Sequence, residues 1–154
     1  TGIPEFGDAP SDIYEKHLGY IKNFKKATLM VAGSAAQKLM MSLAKEQEIL
    51  MGIADMAIWA YTAESFVLRA QKITQTQGAE AAALPTDMMQ TYLCWAADRI
   101  NMAGKEALMG FAEGDELKMM LMGMKRFTKV EPFNTKEARR RVAQALIDKN
   151  GYAF

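Results

Sequence analysis

The side chains able to do chemistry are few in this sequence, and their spacing matters as much as their number. There is one His and one Cys. His17 stands at the edge of an apolar helical stripe, and Cys94 lies beside Trp95 in mid-helix, so a thiol nucleophile would need the distant His17 as its base. Packing is the plainer role for both residues. A di-iron bundle needs paired carboxylates with two Glu-x-x-His motifs, and a zinc site needs several ligands at ordered spacing; one His supplies neither. A haem held by His and Met finds no support in the spacing. Met119, Met120, Met122 and Met124 carry the thioethers that a Cu(I) site uses, but at 100° per residue they point all round a helix. No GxGxxG follows a strand and no GxxxxGK[ST] loop occurs, so both standard nucleotide-binding turns are missing. The reading therefore assigns no catalytic, cofactor-binding or metal-ligating residue.

The charged residues divide in the same way. Glu64 falls near the centre of the apolar side of the second predicted helix, and Arg99 lies beside the apolar face of the third, flanked by Met88, Tyr92 and Trp95. A carboxylate in such a place needs a cation, so an interhelical Glu64–Arg99 pair is expected rather than a general acid. Asp55 is expected in an ion pair or polar contact on the outer surface of the second helix. Arg139, Arg140 and Arg141 spread three charges over nearly a full turn, mostly as a solvated face. A salt bridge to a neighbouring segment or contact with anionic lipid is the alternative.

The rest of the chain must position these groups. At 154 residues, half of them apolar, it is long enough for one domain with its own core. Nineteen basic against eighteen acidic side chains argue against nucleic acid as a partner. A single Cys excludes a disulfide scaffold and fits a reducing, cytoplasmic setting. The opening TGIPEFGDAP has no signal-peptide pattern. It reads as a linker over residues 1–10 cut from a longer polypeptide, with residues 11–154 as one helical domain.

Periodicity predicts five helices and no strand. The first begins near Ser11, capped by Asp8 or Ser11, with a stripe of Tyr14, Leu18, Ile21, Thr28, Ala32, Ala35 and Leu39. The second runs from about Lys45 to Thr74. The third, capped by Thr86 after a loop, places Met89, Leu93, Ala96, Ile100, Ala103, Ala107 and Phe111 on one face. The fourth starts near Asp115 and ends with Lys125, Arg126 and Lys129, charges that suit the helix dipole. Asn134 with Glu137 forms a capping-box-like start for the fifth, which stops at Asn150 and Gly151. Helices of about thirty residues are about 45 Å long. The expected fold is all-α: an elongated up-and-down bundle of four to five helices.

The second helix is the most telling. Its inner side carries Ile49, Ile53, Met56, Ala57, Ala60, Val67 and Leu68, and its outer side Met51, Ile58, Trp59, Phe66 and Ile73, broken by Asp55, Thr62 and Arg69. A helix apolar nearly all round wants cover on both sides. A membrane span from Ile49 to Leu68 is rejected, because Asp55 and Glu64 would each cost roughly 2.5–3.5 kcal/mol near its middle. A wholly internal helix remains open, and a second protein surface, from another domain or another copy, is the favoured reading.

The string EQEILMGIADMAIWAYTAESFVLRAQK, residues 46–72, with ADMAIWAYTAES at its centre, and GDELKMMLMGMKRFTKVEPFNTKEARRRVAQALI, residues 114–147, resemble a known family. Both are similar to the helical C-terminal extension of acyl-CoA dehydrogenases of the bacterial long-chain type, related to the extra domain of the very-long-chain enzymes. The resemblance covers about Lys22 to the C-terminus. It implies a parent enzyme with FAD that oxidises a fatty acyl-CoA to the 2-enoyl-CoA. That enzyme's base and flavin contacts lie in a preceding module that this sequence lacks, so none transfers here. The fragment is then a non-catalytic accessory domain, its partners the dehydrogenase core of its own polypeptide and a further copy in a homo-oligomer. Membrane association, implied for the very-long-chain enzymes, is not favoured. Two other readings stay open: an independent helical interaction module that dimerises or lies on a membrane, and a small-ligand binder using a crevice between helices.

Overall fold

A computed structural model describes residues 10–149. Its elements are α1 (Pro10–Leu39), a 3-10 turn at Met40–Lys45, α2 (Gln47–Gln77), α3 (Ala83–Phe111), α4 (Gly114–Phe127) and α5 (Thr135–Lys149). The all-α bundle is as expected, with no strand among the described residues. Asp8, Asn150 and Gly151, named as helix boundaries, lie outside the described residues. Ser11 lies inside α1 rather than capping it.

α1, α2 and α3 form the up-down-up core. Antiparallel pairing of α1 with α2 brings Tyr14 to Thr74 and Lys25 to Glu64. α2 runs antiparallel to α3, with Ile49 against Gly110 and Gly52 against Ala103. Small residues let these backbones close: Ala27, Ala35, Ala60, Ala63, Ala70, Ala96 and Ala97 are all buried. Between them pack Ile21, Phe24, Met56, Met89, Leu93, Ile100 and Leu108, each at most 1% exposed.

The face of α3 is as read, with Met89, Leu93, Ala96, Ile100 and Ala107 buried and Ala103 and Phe111 partly so. α1 differs. It buries Tyr14, His17, Ile21, Phe24, Ala27, Val31 and Ala35, and Leu18, Thr28, Ala32 and Leu39 are only partly covered. α3 starts three residues before the expected cap, because Pro85 fits the first helical turn, where its missing N–H has no intrahelical acceptor. Thr86 instead meets the Tyr14 hydroxyl at 2.9 Å, and Tyr14 also reaches Thr74 at 2.5 Å, so one phenol ties three helices at one end of the bundle.

α4 lies antiparallel to both α1 and α3. Gly104 permits the closest approach, since a Cβ there would sit 2.5 Å from Met124 Cε and 3.0 Å from Met56 Cε. Met120 and Met124 face inward, whereas Met119 and Met122 are each 72% exposed, so the four thioethers do not converge. Asn134 caps α5 by accepting the Glu137 N–H at 3.1 Å. The return bond of a capping box is not made, and the Glu137 carboxylate faces Lys136 and Arg140. The α5 backbone approaches α3 and no other helix.

Candidate functional site

The fold brings the one His and the one Cys to the same place. His17 and Cys94 both line a cleft of about 400 Å³, walled by Tyr20, Gln90 and Leu93 and closed by the 130–133 segment. His17 is buried, its Nδ1 lies 2.7 Å from the Ile13 carbonyl, and its ring meets Tyr20 edge-on. The Nδ1–H donates to that carbonyl, fixing the ring by a bond within its own helix. Burial pushes the His17 pKa down, against the hydrogen bond that favours its charged form. Burial, then the nearby Asp98, pushes the Cys94 thiol up. A Cys–His ion pair needs the opposite pair of shifts, a thiol pKa pushed down and an imidazole pKa pushed up by the thiolate beside it. The shared cleft thus holds a protonated thiol and a neutral imidazole. Cys94 is half-buried on the cleft wall rather than packed in the core as expected. No group of three or more His, Cys, Asp and Glu that could hold a metal occurs among the described residues.

The expected Glu64–Arg99 pair is not formed. Glu64 sits at the α1 edge of α2, its side chain 28% exposed, and accepts a hydrogen bond from Lys25 Nζ at 2.6 Å. Arg99 is exposed on α3. The carboxylate is not central to the core, so solvent and the lysine together satisfy it. Asp55 is exposed on the outer side of α2, with no ion pair among the described residues. The three consecutive arginines each find a contact within the chain. Arg139 lies over the Trp95 ring at 5.9 Å, Arg140 faces Glu137 at 3.5 Å, and Arg141 makes a bidentate pair with Asp87 at 2.7 and 2.8 Å. That pair raises the Arg141 pKa further.

The outer side of α2 is uncovered only in part. Trp59 and Phe66 stack on Tyr92 of α3, with ring centroids 5.2 and 4.6 Å apart, so α3 itself covers these two side chains of the expected outer face. Met51, Ile58, Tyr61 and Leu68 remain 63, 61, 63 and 49% exposed. With Ala54 they recur at steps of three, four, three and seven, a narrow stripe opposite the buried Met56, Ala60, Ala63 and Val67. Leu68 was expected on the inner side and belongs to this stripe. Leu29 of α1, 72% exposed, adjoins Tyr61 across a notch of about 230 Å³ between the two helices. The stripe is interrupted by the exposed Asp55 between Met51 and Ile58, and its remaining exposed side chains form an apolar run of the kind that meets protein. No helix among the described residues is long and apolar enough to cross a membrane.

Known proteins resemble this chain throughout. The family model described as acyl-CoA dehydrogenase, C-terminal domain, matches residues 23–126. A probable acyl-CoA dehydrogenase of Bacillus subtilis (strain 168) is 36% identical over 142 residues, which are 92% of this chain and 24% of that protein. The crystal structure of an acyl-CoA dehydrogenase complexed with FAD from Bacillus anthracis matches with a TM-score of 0.88 and 35% identity, covering 99% of this chain and 27% of that one. The chain thus spans about a quarter of the length of these relatives. This helical bundle, matched in sequence over most of its length and in fold over nearly all of it, belongs to the acyl-CoA dehydrogenase C-terminal domain family.

Proposed function

We propose that this chain is the accessory helical domain of a flavin-dependent acyl-CoA dehydrogenase acting in the cytoplasm. The whole polypeptide oxidises a fatty acyl thioester to the 2-enoyl thioester, and this domain contributes packing rather than a reacting group. The observation that carries the reading is the apolar stripe Met51, Ala54, Ile58, Tyr61 and Leu68 on a helix already buried along its other side. In a family whose members are about four times longer, its natural cover is the dehydrogenase core of the same polypeptide.

The described residues do not fit a flavin dinucleotide. Its pyrophosphate wants backbone N–H groups at a glycine-rich turn opening a helix. The one helix here with glycine at its first position, α4, follows it with Asp115 and Glu116, which repel a phosphate. The cleft of about 400 Å³ is lined by Lys16 already paired with Glu131, and by His17 and Cys94 in their neutral forms. FAD therefore belongs to the rest of the polypeptide, and no step is assigned to residues of this chain.

Mixing the isolated chain with FAD and an acyl thioester tests the inert role. The expected result is no flavin absorption retained after gel filtration and no turnover; either one would overturn the reading. The same stripe also suits a second copy of the chain. Sedimentation with and without anionic vesicles separates these cases. Salt-insensitive self-association points to the apolar contact, and vesicle binding that fades steeply with salt points to the basic helices instead.

A further inference from the structure

We infer that the groove between α3 and α5 is a binding site for a small organic anion with a flat apolar body, in chemical class an aromatic carboxylate. The groove encloses about 270 Å³. Phe66 and Tyr92, stacked 4.6 Å apart and within 25° of parallel, form one wall with Trp95, and Val142 and Leu146 of α5 form the other. Such walls suit a planar ring, which buries both faces against them. They give nothing to a strongly hydrated ligand.

The charge of the ligand follows from Arg139 at the rim. Of the three consecutive arginines, Arg140 and Arg141 are each matched by a carboxylate. Arg139 uses Nε on the Thr135 carbonyl at 3.2 Å and rests over Trp95, and it is in no ion pair among the described residues. Its terminal N–H groups are the remaining positive charge beside an apolar groove, and a carboxylate matches their planar fork. Thr91 contributes to the groove wall, but it is only 6% exposed and its Oγ1 is out of reach from the groove, so the anion is held by Arg139 alone. This site is independent of the dehydrogenase reading, since it uses neither the stripe on α2 nor the family comparison.

Isothermal titration of the 154-residue chain with naphthalene-2-carboxylate tests the site, with the neutral naphthalene-2-carboxamide and acetate as comparators. About thirteen non-hydrogen atoms in a partly open groove give an expected Kd of roughly 0.1–1 mM. The carboxamide should bind about three- to tenfold more weakly and acetate not measurably. Arg139→Gln, an exposed position that leaves the fold alone, should bring the carboxylate down to the carboxamide's affinity while leaving the carboxamide unchanged. Thr91→Val separates the groove from the core behind it: it should keep or raise the melting temperature and leave the carboxylate's affinity unchanged, since that hydroxyl is out of the ligand's reach. Ala143→Trp, also on the exposed side of α5, should block both aromatic ligands. Absence of binding at millimolar carboxylate, equal affinity for acid and amide, or binding indifferent to Arg139→Gln would each overturn the proposal.

Discussion

Two substitutions two residues apart on α2 separate core from docking face. Met56 is fully buried, and its ε-methyl lies 3.0 Å from where a Cβ at Gly104 would stand, at the tightest approach of α2, α3 and α4. Truncation to Ala there leaves a hole that three helices cannot close, and about 2–5 kcal/mol is expected. Ile58 is 61% exposed. Only the covered two-fifths of its side chain stabilises the isolated domain, which at about 1.5–3 kcal/mol for full burial comes to about 1 kcal/mol. The better helix propensity of Ala offsets part of that, leaving about 0.5 kcal/mol. In urea unfolding followed at 222 nm, Met56→Ala should shift the midpoint strongly and Ile58→Ala barely, both with unchanged slope. At about 2–4 °C per kcal/mol for a chain of this size, the melting temperatures should fall by about 5–15 °C and by 2 °C or less. In a polypeptide that includes the dehydrogenase core, Ile58→Ala should cost about 1–2 kcal/mol more, the share of the side chain exposed here. Equal damage from the two substitutions in the isolated chain would refute the assignment of α2's outer side as a free face. An Ile58→Ala cost that does not grow with the core present would refute the docking.

Three further outcomes follow from the same structure. Because burial lowers the folded pKa of His17 below its ordinary 6.5, the unfolded chain takes up that proton first. Stability should therefore be full above pH 6.5 and decline as the pH falls below it, and thermal melts of His17→Gln should lack this slope. Cys94, its thiol held protonated, should react with iodoacetamide at pH 8 more slowly than a free thiol. His17→Gln should leave that rate unchanged, and a faster reaction that this variant slows would instead show an activated pair. Tyr14→Phe removes the bonds to Thr74 and Thr86 and should cost about 1–2 kcal/mol in denaturant titration.

Much of the fold was legible because the helices are long and their apolar spacing is regular. The face of α3 needed nothing else. The α1 stripe was misread at Phe24, Ala27 and Val31, although Tyr14, Ile21, Thr28 and Ala35 alternate with His17, Phe24 and Val31 at steps of three and four. That is a heptad seam, disguised by two polar members, His17 and Thr28. The partner of Glu64 was beyond reach from sequence. Several cations lie on the neighbouring helices, among them Lys22, Lys25 and Lys26 of α1 and Arg99 of α3, and only the rotation of α1 about its axis decides for Lys25. Likewise, Trp59 and Phe66 look outward on α2 considered alone, and Tyr92 covers them only because α3 is displaced to that flank. The meeting of His17 with Cys94 is another product of packing, without any local signal. Thr86 carried a real signal with two outlets, since a hydroxyl that can cap a helix can equally serve a phenol.

The way α5 is fastened has its own consequence. It leans on a single neighbour, contains one fully buried residue, Ala138, and is clasped at the surface by Arg141 and Asp87. Such an arm can peel away while the three long helices stay assembled, so its amides should exchange with deuterium well before theirs, and limited proteolysis should cut the 130–134 connection first. High salt should loosen the clasp and hasten both events, making the last helix the bundle's natural point of fraying.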